Sequence, residues 1–205
     1  MLDVLKQGGV TIIPLVIFSI VSLAISIERF IYLKQAKINN YNLINKVRVK
    51  LDDNKLKEIK SILEEKKTPI AGMLLDGLNY LGQDKTELRQ NLQLIGNNQV
   101  KELEKRLSAL NFIASVSPLL GLLGTVLGII DSFNILATAQ GVANPGALSV
   151  GIAQALISTA IGLIVAIPTM LMYSYLAGLV EKRTTEMNRW FADVVEVLSQ
   201  GGKNV

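Results

Sequence analysis

The stretch SPLLGLLGTVLGIIDSF, from Ser117 to Phe133, sits inside an apolar run from Leu107 to Leu136 whose one formal charge is Asp131. A helix needs about 20 residues to cross about 30 Å of hydrocarbon, and this run exceeds that length. The same test selects two further runs. Leu148 to Val180 carries no charge at all. Val10 to Ile27 is also uncharged and continues through Glu28-Arg29 into Phe30-Ile31-Tyr32-Leu33, where Glu28, Arg29 and Tyr32 mark an interfacial end. A cleaved signal peptide is the competing reading of this first run. Only Asp3 and Lys6 are charged in the nine residues before it, and no small-residue cleavage site stands out after it, which favours a retained helix.

The rest of the composition has to fit around these spans. Half of the 205 residues are apolar, yet 21 Lys and Arg stand against 17 Asp and Glu, so charge is segregated from the apolar runs. Fifteen basic residues lie between Lys34 and Arg106, and Lys182, Arg183, Arg189 and Lys203 follow the third run. The turn from Ala137 to Ala147 has none. Basic loops stay on the cytoplasmic side, so the N-terminus and that turn are expected outside and the C-terminus in the cytoplasm. Acidic residues are interleaved with the basic ones in the long segment, which therefore reads as a folded, solvated module and not as a nucleic-acid arm.

The expected architecture is all-α: an integral membrane protein with three transmembrane helices and a cytoplasmic helical extension of the long second and third spans. The boundaries read as an external N-terminus (1–9), a first span (10–33), a cytoplasmic helical segment (34–106), a second span (107–136), an external turn (137–147), a third span (148–180) and a cytoplasmic C-terminal helix and tail (181–205). Within the cytoplasmic segment, Asp53 to Lys67 is rich in helix formers until Thr68-Pro69 interrupts it, and a second helix is expected after Pro69. From Thr86 to Leu107, Leu88, Leu92, Ile95, Val100, Leu103 and Leu107 keep approximate helical spacing, which predicts one long helix running into the second span. Met187, Trp190, Phe191, Val194 and Leu198 form an apolar stripe that requires a partner helix.

Function is constrained first by what the chain lacks. With no cysteine and no histidine, disulfides, thiolate or imidazole metal sites and imidazole acid-base chemistry are excluded. No spaced nucleophile and base, metal cluster or phosphate-binding glycine loop is present, so neither an enzyme nor a bound cofactor is expected. The second and third spans carry instead two stripes of small and hydroxylated residues. Pro118, Gly121, Thr125, Gly128 and Ser132 recur at intervals of three or four on one helix, and Gly151, Ala155, Thr159, Gly162 and Ala166 do so on the other. Small residues allow close helix packing, and Gly124 and Gly128 have the usual spacing for it. A threonine hydroxyl in a membrane helix can also satisfy itself on a carbonyl one turn earlier. The alternative is that both stripes line a narrow polar path, on which hydroxyls and the Gln154 amide meet water, an ion or a partner's carboxylate. Asp131 lies near the outer end, off its stripe. The second and third spans therefore hold no titratable carrier of their own for a proton relay, and a partner would have to supply one.

These motifs resemble the ExbB/TolQ proton-channel family, and ExbB most. Gly121-Leu122-Leu123-Gly124-Thr125-Val126 and Thr159-Ala160-x-Gly162-Leu163 are similar to the family signature, and the short outer turn and long inner segment match its topology. The resemblance implies a homopentamer in a bacterial inner membrane. Its second and third helices would enclose a pore holding the spans of an ExbD- or TolR-like dimer, whose helix carries an aspartate. It implies that ion flow drives TonB- or TolA-like work at the envelope, in biopolymer transport or, in the Tol case, envelope maintenance. Thr125 and Thr159 correspond to the family's pore threonines, and Pro118 to a position near the cytoplasmic mouth. Gly121, Gly128 and Gly162 are the small lining residues. Many ExbB-like chains carry glutamate where this one has Gln154, whose amide does not titrate. Thr125, Thr159, Ser158 and Gln154, with a partner aspartate, form an oxygen-rich set that suits Na+ as well as H+. A passive helical scaffold is the reading from another class.

Overall fold

The computed structural model describes residues 11–36, 40–53, 55–66, 68–138 and 145–201. The expected external N-terminus at 1–9, most of the turn at 137–147 and the last four residues lie outside these. Every regular element among the described residues is helical. In chain order they are α1 (Ile12–Gln35), α2 (Asn40–Asp52), α3 (Leu56–Glu65), α4 (Pro69–Gly77), a 3-10 turn at Leu78–Tyr80, α5 (Lys85–Glu104), α6 (Leu107–Thr138) and α7 (Pro145–Gly201). Three helical stretches are long and apolar enough to cross a membrane. The chain forms two compact units, one from residues 11–28 and 106–175, the other from residues 29–105 and 176–201.

The first unit is the apolar one. In hydrocarbon no water is available to hydroxyl groups, so each must find an acceptor within the protein. Ser117 donates to the Ile113 carbonyl at 2.6 Å, Ser132 to Gly128 at 2.7 Å, Thr169 to Val165 at 2.7 Å and Ser22 to Ser19 at 3.0 Å. With these hydroxyls bonded along their own helices, large apolar residues fill much of the outer faces. Ile20 and Leu23 on α1, Leu119 and Phe133 on α6 and Ile164 and Leu171 on α7 are all exposed. Phe18 and Phe112 meet edge to face with centroids 6.2 Å apart.

The second unit is built like the core of a soluble helical protein. Val47 and Leu51 of α2, Ile59 and Leu63 of α3, Ile70, Met73 and Leu74 of α4, Leu88 and Leu92 of α5 and Val194 and Leu198 of α7 join in one buried cluster. Each contributes about 1.5–3 kcal/mol by leaving water. The stripe on α7 thus has its partner helices. Helix starts are specified locally. Thr68 accepts at Oγ1 from the Ala71 amide at 3.2 Å, with Pro69 at the first helical position, and Asp84 accepts from Thr86 at 3.0 Å. α3 is shorter than the expected Asp53–Lys67 helix, since its regular turns run only from Leu56 to Glu65.

One expectation is corrected. The periodicity from Thr86 to Leu107 predicts a helix running unbroken into the second span, but α5 stops at Glu104 and α6 begins at Leu107. Between them Arg106 takes φ of 64°. For a residue with a Cβ this left-handed conformation costs about 1–2 kcal/mol. The third span extends as expected, because α7 is one helix of 57 residues with Pro168 inside it.

Candidate functional site

The two stripes face each other. α6 and α7 run antiparallel, with contacts stepping from Ser117 and Gly162, through Gly121 and Thr159, to Gly128 and Ala155 and then Ser132 and Gly151. Backbone approaches backbone most closely at Gly121 and Gly162. A Cβ on Gly162 would lie 2.7 Å from the Ser117 carbonyl oxygen and 3.0 Å from the Gly121 Cα. One on Gly121 would lie 3.1 Å from the Thr159 Cα. Only hydrogen fits there, so backbone meets backbone, as small residues permit in membranes. Gly128 presses on Ala155 in the same way, its Cβ position 2.9 Å from the alanine methyl. Pro118 is half-buried inside α6, where it removes the amide that the Ala114 carbonyl would otherwise accept from.

The threonines flank this contact, and each has committed its one hydroxyl proton to a backbone carbonyl. Thr125 donates within its own helix to Leu122 at 2.6 Å, and Thr159 donates across the pair to Gly121 at 3.1 Å. Both residues are half-buried, so their oxygens are left with acceptor lone pairs. In that state they can coordinate a cation or accept from water or a protonated acid. To donate to a carboxylate, either would have to give up its carbonyl. Gln154 is half-buried one turn from Ser158, and its amide has no hydrogen-bond partner among the described residues.

Ser158 is placed differently. It is fully buried, and its hydroxyl lies 2.8 Å from that of Thr11 in a bond across 147 residues, against Gly124. The structure therefore brings Thr159, Gly121, Gly128 and Gly162 to one helix crossing and sets Ser158 into its packed interior, while Thr125 bonds within α6. Thr11 was not singled out by sequence. A lone hydroxyl at the start of an apolar span carries no periodic signal, and its partner is too distant along the chain for spacing to reveal it.

Residues 42–189, which include both stripes, match the MotA/TolQ/ExbB proton channel family. The chain belongs to this family. Among its relatives, an ExbB-like protein of Synechocystis sp. is 34% identical over 165 residues, covering 80% of this chain and 79% of the relative. The biopolymer transport protein ExbB of Aquifex aeolicus is 47% identical over 83 residues, 40% of this chain and 55% of that one. The Tol-Pal system protein TolQ of Haemophilus influenzae is 44% identical over 86 residues, 42% of this chain and 37% of that one. This chain is an ExbB-like member of the MotA/TolQ/ExbB family.

Proposed function

We propose that this chain is the ExbB-like subunit of an inner-membrane, ion-driven motor channel. Five copies would surround the single spans of an ExbD-like partner, and the complex would use the proton or sodium motive force to energise TonB-dependent envelope transport. The observation that carries the reading is the pair of half-buried threonines whose hydroxyl protons are already engaged on backbone carbonyls. Their free lone pairs offer a permanent acceptor site to a cation, or to a partner's carboxyl group in its protonated form. A protonated aspartate is neutral, and neutral species cross a low-dielectric path far more easily than charged ones. The basic residues outside the spans support an orientation with the N-terminus outside and the charged segment in the cytoplasm. The driving force is adequate, because each unit charge crossing 100 mV releases about 2.3 kcal/mol before any ion gradient is added.

The test is ion flux into proteoliposomes that hold this chain with its single-span partner, under H+ and then Na+ gradients, with assembly checked by native mass. Thr159→Val keeps the shape and removes the oxygen. Flux that follows one cation and falls at least about tenfold in the intact Thr159→Val complex supports the motor channel and names its ion, since tenfold corresponds to one lost interaction of about 1.4 kcal/mol. Equal flux in both complexes removes the Thr159 hydroxyl from the ion path, and no flux from a complete wild-type assembly favours a passive scaffold.

A further inference from the structure

The polar side chains along the inner part of α6 divide between two sides of the helix. Ser117 and Ser132 are buried where α6 meets α7, and each bonds along its own helix, to Ile113 and to Gly128. Ser108, Asn111 and Ser115 are exposed instead, and among the described residues none of the three has a hydrogen-bond partner. Helical spacing puts these three together with a residue of the candidate site. Ser108, Asn111, Ser115, Pro118, Leu122 and Thr125 follow one another at intervals of three and four, and so share one face. Pro118 adds an acceptor there, since it has no amide to offer the Ala114 carbonyl four residues earlier.

The other sides of α6 are already taken. α7 lies against Gly121 and Gly128, and α1 reaches α6 through Phe18 on Phe112. Leu119, Leu123, Val126 and Ile130 form an exposed apolar side of the kind that hydrocarbon solvates. Ser115 stands eight residues into α6 from Leu107, about 12 Å along the axis at 1.5 Å per residue. The basic pair Lys105-Arg106 precedes the helix and marks the interface, so Ser115 lies at hydrocarbon depth. A hydroxyl or an amide without a partner is costly against lipid tails, and polar side chains of a span turn to the bundle interior or to a water-filled cavity. The unpaired groups of α6 thus point to water on the face that carries Thr125.

We infer that Ser115, Asn111 and Ser108 line the cytoplasmic limb of the ion path, where their oxygens and the Ala114 carbonyl hold water and pass a monovalent cation between Thr125 and the cytoplasm. The inference rests on the motor-channel reading and extends it from the two threonines to residues nearer the cytoplasm. These groups offer oxygen without charge, which suits a site that must bind an ion weakly enough to release it. Leu122 is the one large apolar residue on the face, so the polar limb begins on its cytoplasmic side, at Pro118.

The chain has no cysteine, so single cysteines report each side of α6. Asn111→Cys and Ser115→Cys lie on the proposed limb. Phe112→Cys and Leu119→Cys lie off it, at exposed positions that bracket Ser115 in depth. Each full-length variant is reconstituted with the single-span partner and treated, on both sides of the membrane, with a cationic methanethiosulfonate. The reagent attacks the thiolate, and so reacts only where water reaches the sulfur. Mass spectrometry reads the modification, and flux is measured on the same sample before and after. Ser115→Cys is expected to react at least about tenfold faster than both controls and to lose at least about tenfold of its flux on modification. Reaction no faster than at Phe112→Cys, the shallower site, overturns the inference, because another helix or lipid then covers the face. Modification of Ser115→Cys that leaves flux unchanged overturns it too, since the face would be wet but off the path. Should Ser115→Cys fail to assemble, Asn111→Cys carries the same two comparisons. Failure of the motor-channel reading shows separately, as a wild-type complex that does not conduct.

Discussion

α7 is packed in two ways along its length, and the contrast shows how one helix serves two environments. Between Gly151 and Ala166 it offers Gly, Ala, Ser and Thr, and its backbone lies directly against that of α6. Between Met187 and Leu198 it offers Met and branched aliphatic residues that fill a core shared with α2, α3, α4 and α5. In water, burying a large apolar side chain is the main source of stability. In lipid that gain disappears, because the surroundings are as apolar as leucine, and close backbone approach with hydroxyl bonding takes over. Substitutions that add volume should therefore cost much more where α7 meets α6 than in the core it shares with the other helices.

The largest effect is expected at Gly162→Ala. The new methyl would meet the Ser117 carbonyl and the Gly121 Cα, both of them backbone atoms that yield only if the helices move apart. The expected destabilisation is about 3 kcal/mol, the upper part of the overpacking range, with Thr159 losing its bond to Gly121. Thermal melting in detergent with flux in proteoliposomes would check it. A melting point equal to that of the wild type would mean that the α6–α7 contact is softer than the structure describes.

Gly77→Ala is the matching change in the other unit and should cost much less. There a Cβ would fall 2.6 Å from Leu198 Cδ1 and 2.9 Å from Leu92 Cδ2, the far ends of side chains that can rotate away. Alanine also gains up to about 1 kcal/mol of helix propensity over glycine. The net change should stay within about 1 kcal/mol of zero, measured as the shift of the denaturation midpoint. If Gly77→Ala proved as damaging as Gly162→Ala, the distinction between backbone and side-chain contact would fail as the cause.

What the sequence disclosed follows the same division. The three spans were legible because hydrocarbon imposes a length, and the stripes because a helix face repeats every three or four residues. Facing of the two stripes could not be read, since two periodic faces do not say which partner each meets. The break at Lys105–Arg106 was hidden because its own four residues, Glu104 to Leu107, contain neither glycine nor proline and favour a helix. Ser158 read as one of an oxygen-rich set, and its bond to Thr11, at the far end of the sequence, had no local signal.

The smallest effect belongs to the charge at the start of α5, and it sharpens the comparison because hydrocarbon offers no counterpart. The Thr86 amide donates to Asp84 and holds its carboxyl below the usual value of 3.8. A carboxyl whose folded pKa is depressed stabilises the fold fully above its unfolded value and loses that contribution as pH falls through the folded one. Asp84→Asn keeps the capping oxygen and removes the charge. At neutral pH the variant should be slightly less stable than the wild type, by an amount that shrinks with added salt because the group is fully exposed. Once the pH has fallen below the depressed pKa of this carboxyl, the two proteins should converge as it protonates. A difference that stayed constant down to that pH would place the contribution of Asp84 in its oxygen and geometry, with nothing owed to the helix dipole. The start of α5 would then be held by hydrogen bonding alone, as the hydroxyls of the apolar unit are.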